Sequence, residues 1–124
     1  MRKTLLAPVA VLALAGAACS SNGGSSTPSG GAAACSADTA TATTSESMKG
    51  IAFTKTCFQV SAGTTISLSN EDSVTHSFTL DDPSANVSVD VNGGATGEAT
   101  APSAGTYSFH CRFHAQMTGT LIVA

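Results

Sequence analysis

The pattern of apolar and polar residues divides the chain into a short apolar N-terminal stretch, a segment of small residues and a long alternating region. From Cys35 onward, runs rich in Thr, Val and Ser alternate with a period of two, which is typical of half-buried β-strands. Gly, Asn, Asp and Pro punctuate these runs and predict turns. The predicted strands cover residues 40–46, 57–61, 64–69, 75–80, 87–91, 96–101, 105–111 and 119–123. Many short strands at this spacing indicate an all-β sandwich or barrel.

The alternation is clearest in the run Tyr107-Ser108-Phe109-His110-Cys111. Successive side chains of a strand point to opposite faces of its sheet. Tyr107, Phe109 and Cys111 therefore share one face, which we predict points inward, and His110 points the other way.

The first 18 residues have the layout of a secretory signal peptide. Arg2 and Lys3 precede an apolar stretch at 5–14 that is too short to span a bilayer. Small residues then precede Cys19, which resembles a bacterial lipoprotein signal, in which the Cys becomes the lipidated N-terminus. We expect a lipoprotein-type signal peptide over residues 1–18 and lipidation of Cys19, with ordinary cleavage nearby as the alternative. The expected location is extracytoplasmic, either lipid-anchored at the cell membrane or periplasmic or secreted.

The segment after Cys19 consists of Gly, Ser, Ala, Pro and other small residues. Such a composition cannot bury enough surface to offset the entropy of ordering the chain. We predict a flexible tether over residues 19–37 and one folded domain over residues 38–124.

Charged residues make up only 10% of the chain, well below the ~25% of an average soluble domain. When Arg2 and Lys3 are set aside, three basic residues remain beside eight acidic ones. This balance argues against nucleic acid or an anionic membrane surface as a partner.

Four Cys and three His are the chemically unusual residues of this chain. In an oxidising compartment, Cys35 and Cys57 are predicted to form a disulfide that joins the start of the domain to its sheet. Cys111 is then left over, and an odd thiol in an exported protein is either a liability or is held by something else.

Cys111, His114 and Met117 follow one another at intervals of three residues. A thiolate and an imidazole suit copper or zinc, but a thioether is a ligand of copper and not of structural zinc. One more imidazole would complete a trigonal His2Cys set with a weak axial Met, as in blue-copper electron-transfer centres. His76 is the better candidate, because His110 is predicted to point away from the face of Cys111.

These residues resemble the plastocyanin/azurin cupredoxins. Residues 105–111, followed by His114, Met117 and residues 119–123, resemble their C-terminal ligand loop, with the Cys-x2-His-x2-Met spacing of the short-loop, amicyanin-like members. Residues 60–66, followed by Asn70 and His76, resemble the approach to the first His ligand. The resemblance covers residues 39–124. It implies an eight-stranded Greek-key β-sandwich and one type 1 copper ion, cycling between Cu(I) and Cu(II), bound by His76, Cys111, His114 and Met117.

Two positions depart from the family pattern. Ser77 stands where such cupredoxins commonly place an Asn that ties the two ligand loops together, and a hydroxyl has a shorter reach. Arg112 puts a cation next to Cys111, which should favour Cu(I) if the charge lies near the metal.

The resemblance implies a one-electron carrier of the cell envelope, and not an enzyme. All four metal positions are filled by protein, whereas catalytic metal centres keep one position open. The expected partners are redox proteins of the envelope, and the membrane through the lipid anchor, with no nucleic acid and no small-molecule substrate. The alternative function is an extracytoplasmic copper-binding or delivery protein without an electron-transfer role. A third possibility is a cupredoxin-shaped domain that binds another protein and no copper.

Overall fold

The computed structural model describes residues 34–124. This part of the chain contains nine strands and one short 3-10 helix. They are β1 (Thr41–Ala42), β2 (Ser45–Met48), β3 (Cys57–Val60), β4 (Thr65–Asn70), β5 (His76–Leu80), the 3-10 helix (Pro83–Ala85), β6 (Ser88–Val91), β7 (Thr96–Thr100), β8 (Gly105–Cys111) and β9 (His114–Val123).

The strands form two sheets that enclose one apolar core. Within the described residues, the larger sheet has six strands in the order β1-β3-β9-β8-β5-β6, and the smaller has three in the order β2-β4-β7. Strand β1 runs parallel to β3, β2 to β4, and β3 to β9, whereas the other pairs are antiparallel. The predicted all-β sandwich is confirmed.

The first predicted strand, residues 40–46, is divided between the two sheets. Thr41 pairs with Phe58 in the larger sheet, whereas Ser45 pairs with Ser67 in the smaller one. The prediction of one continuous strand was therefore wrong, and eight predicted strands appear as nine segments. A period of two indicates extended chain but does not indicate which sheet the chain joins.

The last predicted strand, residues 119–123, begins earlier than expected. Strand β9 starts at His114, and its ladder with β8 continues down to a pair between Cys111 and His114. A register irregularity lies between His110 and Cys111. The connection is consequently a tight turn at Arg112 and Phe113, and not a loop that extends to residue 118.

Four phenylalanines fill the core where the two sheets face each other. Their ring centroids lie 4.8 to 6.3 Å apart in tilted and edge-on pairs, the arrangement that the ring quadrupole favours. The four are Phe53, Phe58, Phe78 and Phe109. The Phe109 ring lies across Gly119, where an added Cβ would come within 2.3 Å of it.

A disulfide joins Cys35 to Cys57, as the sequence predicts, with their Cα atoms 5.5 Å apart. The side-chain amide of Gln59 also donates to the carbonyls of Ala37 and Ala40. Residues 35–37, which the predicted tether includes, are thus attached to the larger sheet.

The predicted signal peptide, Cys19 and most of the tether lie outside the described residues. Among residues 34–124, no helix is long and apolar enough to cross a membrane.

Candidate metal centre

Three of the four predicted ligands converge at one end of the sandwich. The ligand atoms of His76, Cys111 and His114 all lie within 4.8 Å of one another. The two Nδ1 atoms are 3.2 Å apart, and the Cys111 Sγ lies 3.9 Å from that of His76 and 3.6 Å from that of His114. Both imidazoles thus present the same ring nitrogen to the sulfur.

Neighbouring strands of the larger sheet bring these donors together. His76 is the first residue of β5, Cys111 the last of β8 and His114 the first of β9, and β8 lies between the other two. The tight turn at Arg112 and Phe113 sets Cys111 opposite His114. His76 and Cys111 are buried, with 0% and 2% of their surface exposed.

Met117 lies three residues after His114 on β9 and is buried at 1% exposure. It lies on the inward face of β9 with Leu121 and Val123. Its role as the fourth ligand stays a prediction.

His110 points away from the donor cluster, as the strand alternation predicts. Its Nδ1 meets the carboxylate of Asp81, and both side chains are substantially exposed, at 38% and 54%. Among the described residues, the two imidazoles that approach Cys111 are therefore those of His76 and His114.

The Cys111 sulfur and the ligand loops are tied together by Ser77. The backbone N–H of Ser77 donates to Sγ at 3.3 Å, and the buried Ser77 hydroxyl accepts from the backbone N–H of Arg112 at 2.8 Å. The hydroxyl thus spans the gap that the sequence analysis assigns to a longer Asn side chain.

Asp72 is a site residue that the sequence analysis missed. Its Oδ2 lies 2.8 Å from Nε2 of His76, and its two oxygens accept from the backbone N–H groups of Gly50 and Ile51. Hydrogen bonds from Ile51, His76 and Gly50, in that order, lower the pKa of Asp72 to about 2. The available signal was an acidic residue four positions before a candidate metal-binding His, because such His residues commonly donate their other N–H to a carboxylate.

The guanidinium of Arg112 points toward Asp90 on β6. It lies 2.6 Å from a carboxylate oxygen of Asp90 and stacks over the Phe113 ring at 5.5 Å from its centroid. The cation is therefore paired with an anion, which reduces the preference for Cu(I) that an isolated charge beside Cys111 would give.

The donor set selects among metals. Two imidazoles and one thiolate, with Met117 as the predicted thioether, match the trigonal His2Cys set with a weak axial Met that is typical of type 1 copper. Structural zinc sites use Cys and His in tetrahedral sets and do not use Met. The residues present at this end of the sandwich therefore fit a type 1 copper ion.

Solved structures with the same fold include copper proteins. The reduced Cu(I) form of an amicyanin variant with a proline replaced by glycine is 22% identical, covers 72% of this chain and 86% of its own, and has a TM-score of 0.54. The Cu(I) form of another amicyanin variant, with a methionine replaced by glutamine, is 20% identical, covers 67% and 82%, and has a TM-score of 0.55. A purple cupredoxin from Nitrosopumilus maritimus is 20% identical, covers 64% and 98%, and has a TM-score of 0.52. At these identities the likeness shows the fold.

A comparison with curated proteins finds no significant match. The family model described as "Cupredoxin-like domain" matches residues 9–123, which is most of the chain. The protein that carries this His–Cys–His cluster in a two-sheet sandwich therefore belongs to the cupredoxin-like domain family.

Proposed function

We propose that this protein is a one-electron carrier of the cell envelope, in which His76, Cys111, His114 and Met117 hold one type 1 copper ion. The observation that carries the proposal is the convergence of two Nδ1 atoms on one buried sulfur within 4.8 Å. The amicyanin structures named above are of Cu(I) forms, which supports the same choice of metal. Bound copper supplies reversible one-electron chemistry through its Cu(I) and Cu(II) states.

The protein's contribution is to hold the ligands still. The Sγ atom of Cys111 is fixed by the Ser77 N–H, and the Ser77 hydroxyl fixes the turn that separates Cys111 from His114. A donor set that changes little between the two oxidation states lowers the cost of moving an electron. Stiff placement on strand ends therefore favours rapid electron exchange.

The same arrangement supports a carrier and not an enzyme. The four proposed ligands are protein side chains, and three of them are at most 2% exposed. A catalytic metal centre keeps a position open for substrate or water. The chain also has only three His in total, too few for the additional copper clusters of copper oxidases.

Exposed apolar side chains lie close in sequence to His76 and His114, the proposed exit for the electron. In the described part of the chain, the large apolar side chains that are well exposed are Ile51 at 40%, Val74 at 45% and Phe113 at 51%. Phe113 is adjacent to His114, and Val74 is two residues from His76. We infer that these side chains line an apolar surface on which a redox partner docks, which brings the partner's own centre close to the His114 ring.

The envelope location and the lipid anchor rest on the sequence of the first 37 residues. A signal-like segment over residues 1–18, a lipidation signal at Cys19 and a Gly/Ser-rich tether support a domain held at the outer side of the cell membrane. The Cys35–Cys57 disulfide agrees with this location, since such bonds persist in oxidising compartments.

Copper titration of the purified protein tests the metal centre. We expect an intense blue thiolate-to-Cu(II) band that is lost in Cys111→Ser and retained in Ser108→Ala, a control at an exposed position of the same strand. A colourless wild-type protein would refute the proposal.

Two rates separate electron transfer from copper delivery. We expect fast electron self-exchange between the Cu(I) and Cu(II) forms and slow loss of copper to a chelator. Slow self-exchange with rapid copper loss would instead favour the delivery function.

Mass spectrometry of protein extracted from membranes tests lipidation, because an unmodified Cys19 would contradict the proposed lipid anchor.

A further inference from the structure

The turn between β2 and Phe53 has an unusual backbone. Lys49 N–H donates to the carbonyl of Ala52 at 2.9 Å, and the two central residues, Gly50 and Ile51, have φ values of 64° and 56°. Glycine adopts this left-handed region readily, but for a β-branched residue it is a strained conformation that costs on the order of 1–3 kcal/mol. Such strain persists only where the surroundings hold the backbone in place.

Burial of the Ile51 side chain does not account for the strained conformation, because 40% of that residue is exposed. The backbone N–H groups give a better account. Gly50 N donates to Oδ1 of Asp72 at 2.7 Å, and Ile51 N donates to Oδ2 at 2.8 Å. The left-handed turn thus aims two consecutive N–H groups at one carboxylate, a concave arrangement that favours anions.

Asp72 is also held from its own side of the chain. Its backbone N–H donates to Oδ1 of Asn70 at 3.0 Å, while the Asn70 amide donates to the carbonyls of Val74 and Val91 at 2.7 and 2.9 Å. The carboxylate therefore has little freedom to move away from His76.

The contact between Asp72 and His76 fixes the proton of the imidazole. An ionised carboxylate can only accept hydrogen bonds, so Nε2 of His76 must be the donor across the 2.8 Å contact. In the neutral imidazole Nδ1 then carries the lone pair, and it is the nitrogen that faces the Cys111 sulfur. This tautomer is the one that a metal at the donor cluster requires.

We propose that the Lys49–Ala52 turn is a positioning element of the metal centre, which acts through Asp72 to set the tautomer and ring orientation of His76. The inference deepens the proposed function and rests on it. None of the turn residues contacts the donor atoms, so Asp72 and the turn are positioning residues. The negative charge on the far side of the ring also favours Cu(II) over Cu(I).

The first test needs no metal. Long-range proton–nitrogen NMR of the copper-free protein should show His76 as a single tautomer with its proton on Nε2. In Asp72→Ala we expect a mixture of tautomers. Asp72→Asn keeps the size of the side chain and should show the same change if the alanine variant folds poorly.

The second test uses copper itself. Removal of a carboxylate that supports a His ligand typically costs 10- to 100-fold in metal affinity, so we expect a loss of about that size for Cu(II) in Asp72→Ala. The Cu(I) affinity should fall less. Each tenfold by which the Cu(II) affinity falls more than the Cu(I) affinity raises the one-electron potential by about 59 mV. Gly50→Ala strains the turn without a clash, because no atom lies within 4 Å of the added Cβ, and should reproduce part of the loss.

Asp38→Asn, which removes one exposed acidic charge elsewhere, is the matched control and should change neither the His76 tautomer nor the Cu(II) affinity. A wild-type protein that binds copper, with unchanged His76 tautomer and Cu(II) affinity in both Asp72 variants, would overturn this inference and leave the proposed function standing. A wild-type protein that shows no blue band would remove the proposed function, while the copper-free NMR test would still decide the role of Asp72.

Discussion

The hydroxyl of Ser77 accepts a hydrogen bond from the backbone N–H of Arg112 at 2.8 Å, across the gap between the strand of His76 and the turn after Cys111. The two residues are 35 positions apart in sequence. Because Ser77 is fully buried, its hydroxyl is shielded from water, and the bond joins the two segments that supply the donors.

Replacement of Ser77 by alanine should therefore loosen the metal centre. The variant leaves the Arg112 N–H without its partner, which costs about 1–3 kcal/mol, while the small change in volume leaves no large cavity. Urea unfolding of the copper-free protein measures the loss. Ser67→Ala, on the exposed face of β4, is the control, and equal stability of the two variants would contradict the role of the hydroxyl.

Glu46 gives the protein an identifiable pH dependence. The side chain is fully buried on β2, its Oε1 accepts three hydrogen bonds, and its Oε2 has no partner within residues 34–124. Burial raises its pKa above the ordinary value of 4.5, against the opposing effect of hydrogen bonds from Lys55, Thr54 and Ser47.

The direction of this pH dependence is set by whether the folded or the unfolded state binds the proton of Glu46 more tightly. The folded state does, so the contribution of Glu46 is most favourable below pH 4.5 and stability is lost as pH rises from there through the raised pKa. Glu46→Gln should remove this dependence and gain stability relative to the wild type toward neutral pH. Urea midpoints measured from acidic to neutral pH test it, with the exposed Glu98→Gln as control. Parallel curves for wild type and Glu46→Gln would exclude the effect.

The Cys35–Cys57 disulfide should contribute to stability without affecting the copper spectrum. It closes a separation of 22 residues, for which the chain-entropy estimate is about 3 kcal/mol. Cys57 pairs with Thr120, six residues along β9 from His114, a distance of about 20 Å in an extended strand. The double variant Cys35→Ser/Cys57→Ser should unfold at lower urea concentration and keep its blue band. A lost band in the folded variant would show that the bridge acts on the metal centre.

Gly119 should tolerate no side chain. An alanine Cβ would lie 2.3 Å from the Phe109 ring, and that ring is held by Phe53, Phe58 and Phe78. Overpacking of this kind costs about 1–3 kcal/mol. In the double variant Gly119→Ala/Phe109→Leu, the two losses should be less than additive in thermal or urea unfolding. Strict additivity would mean that the close contact is not the cause.

The parts of the site that the sequence predicted are those whose positions are coupled through local spacing. Cys111, His114 and the predicted ligand Met117 occupy one short segment, and strand alternation favoured His76 over His110. The spacing of Asp72, four residues before His76, was an available signal, but its support by a turn 21 and 22 residues earlier was not, because nothing in the sequence indicates a left-handed backbone at Ile51. Glu46 was missed for a related reason, since an acidic residue in an alternating run ordinarily indicates the exposed face.

The division of the first strand affects how separate copies of the protein meet. Strands β1 and β2 are two and four residues long, and each lies at the edge of its sheet in the described part of the chain. Long unpaired edges invite strand addition from other molecules, whereas very short ones do not. A single eight-residue stretch thus supplies one very short edge to each sheet, which limits strand addition by a second copy at both of these edges.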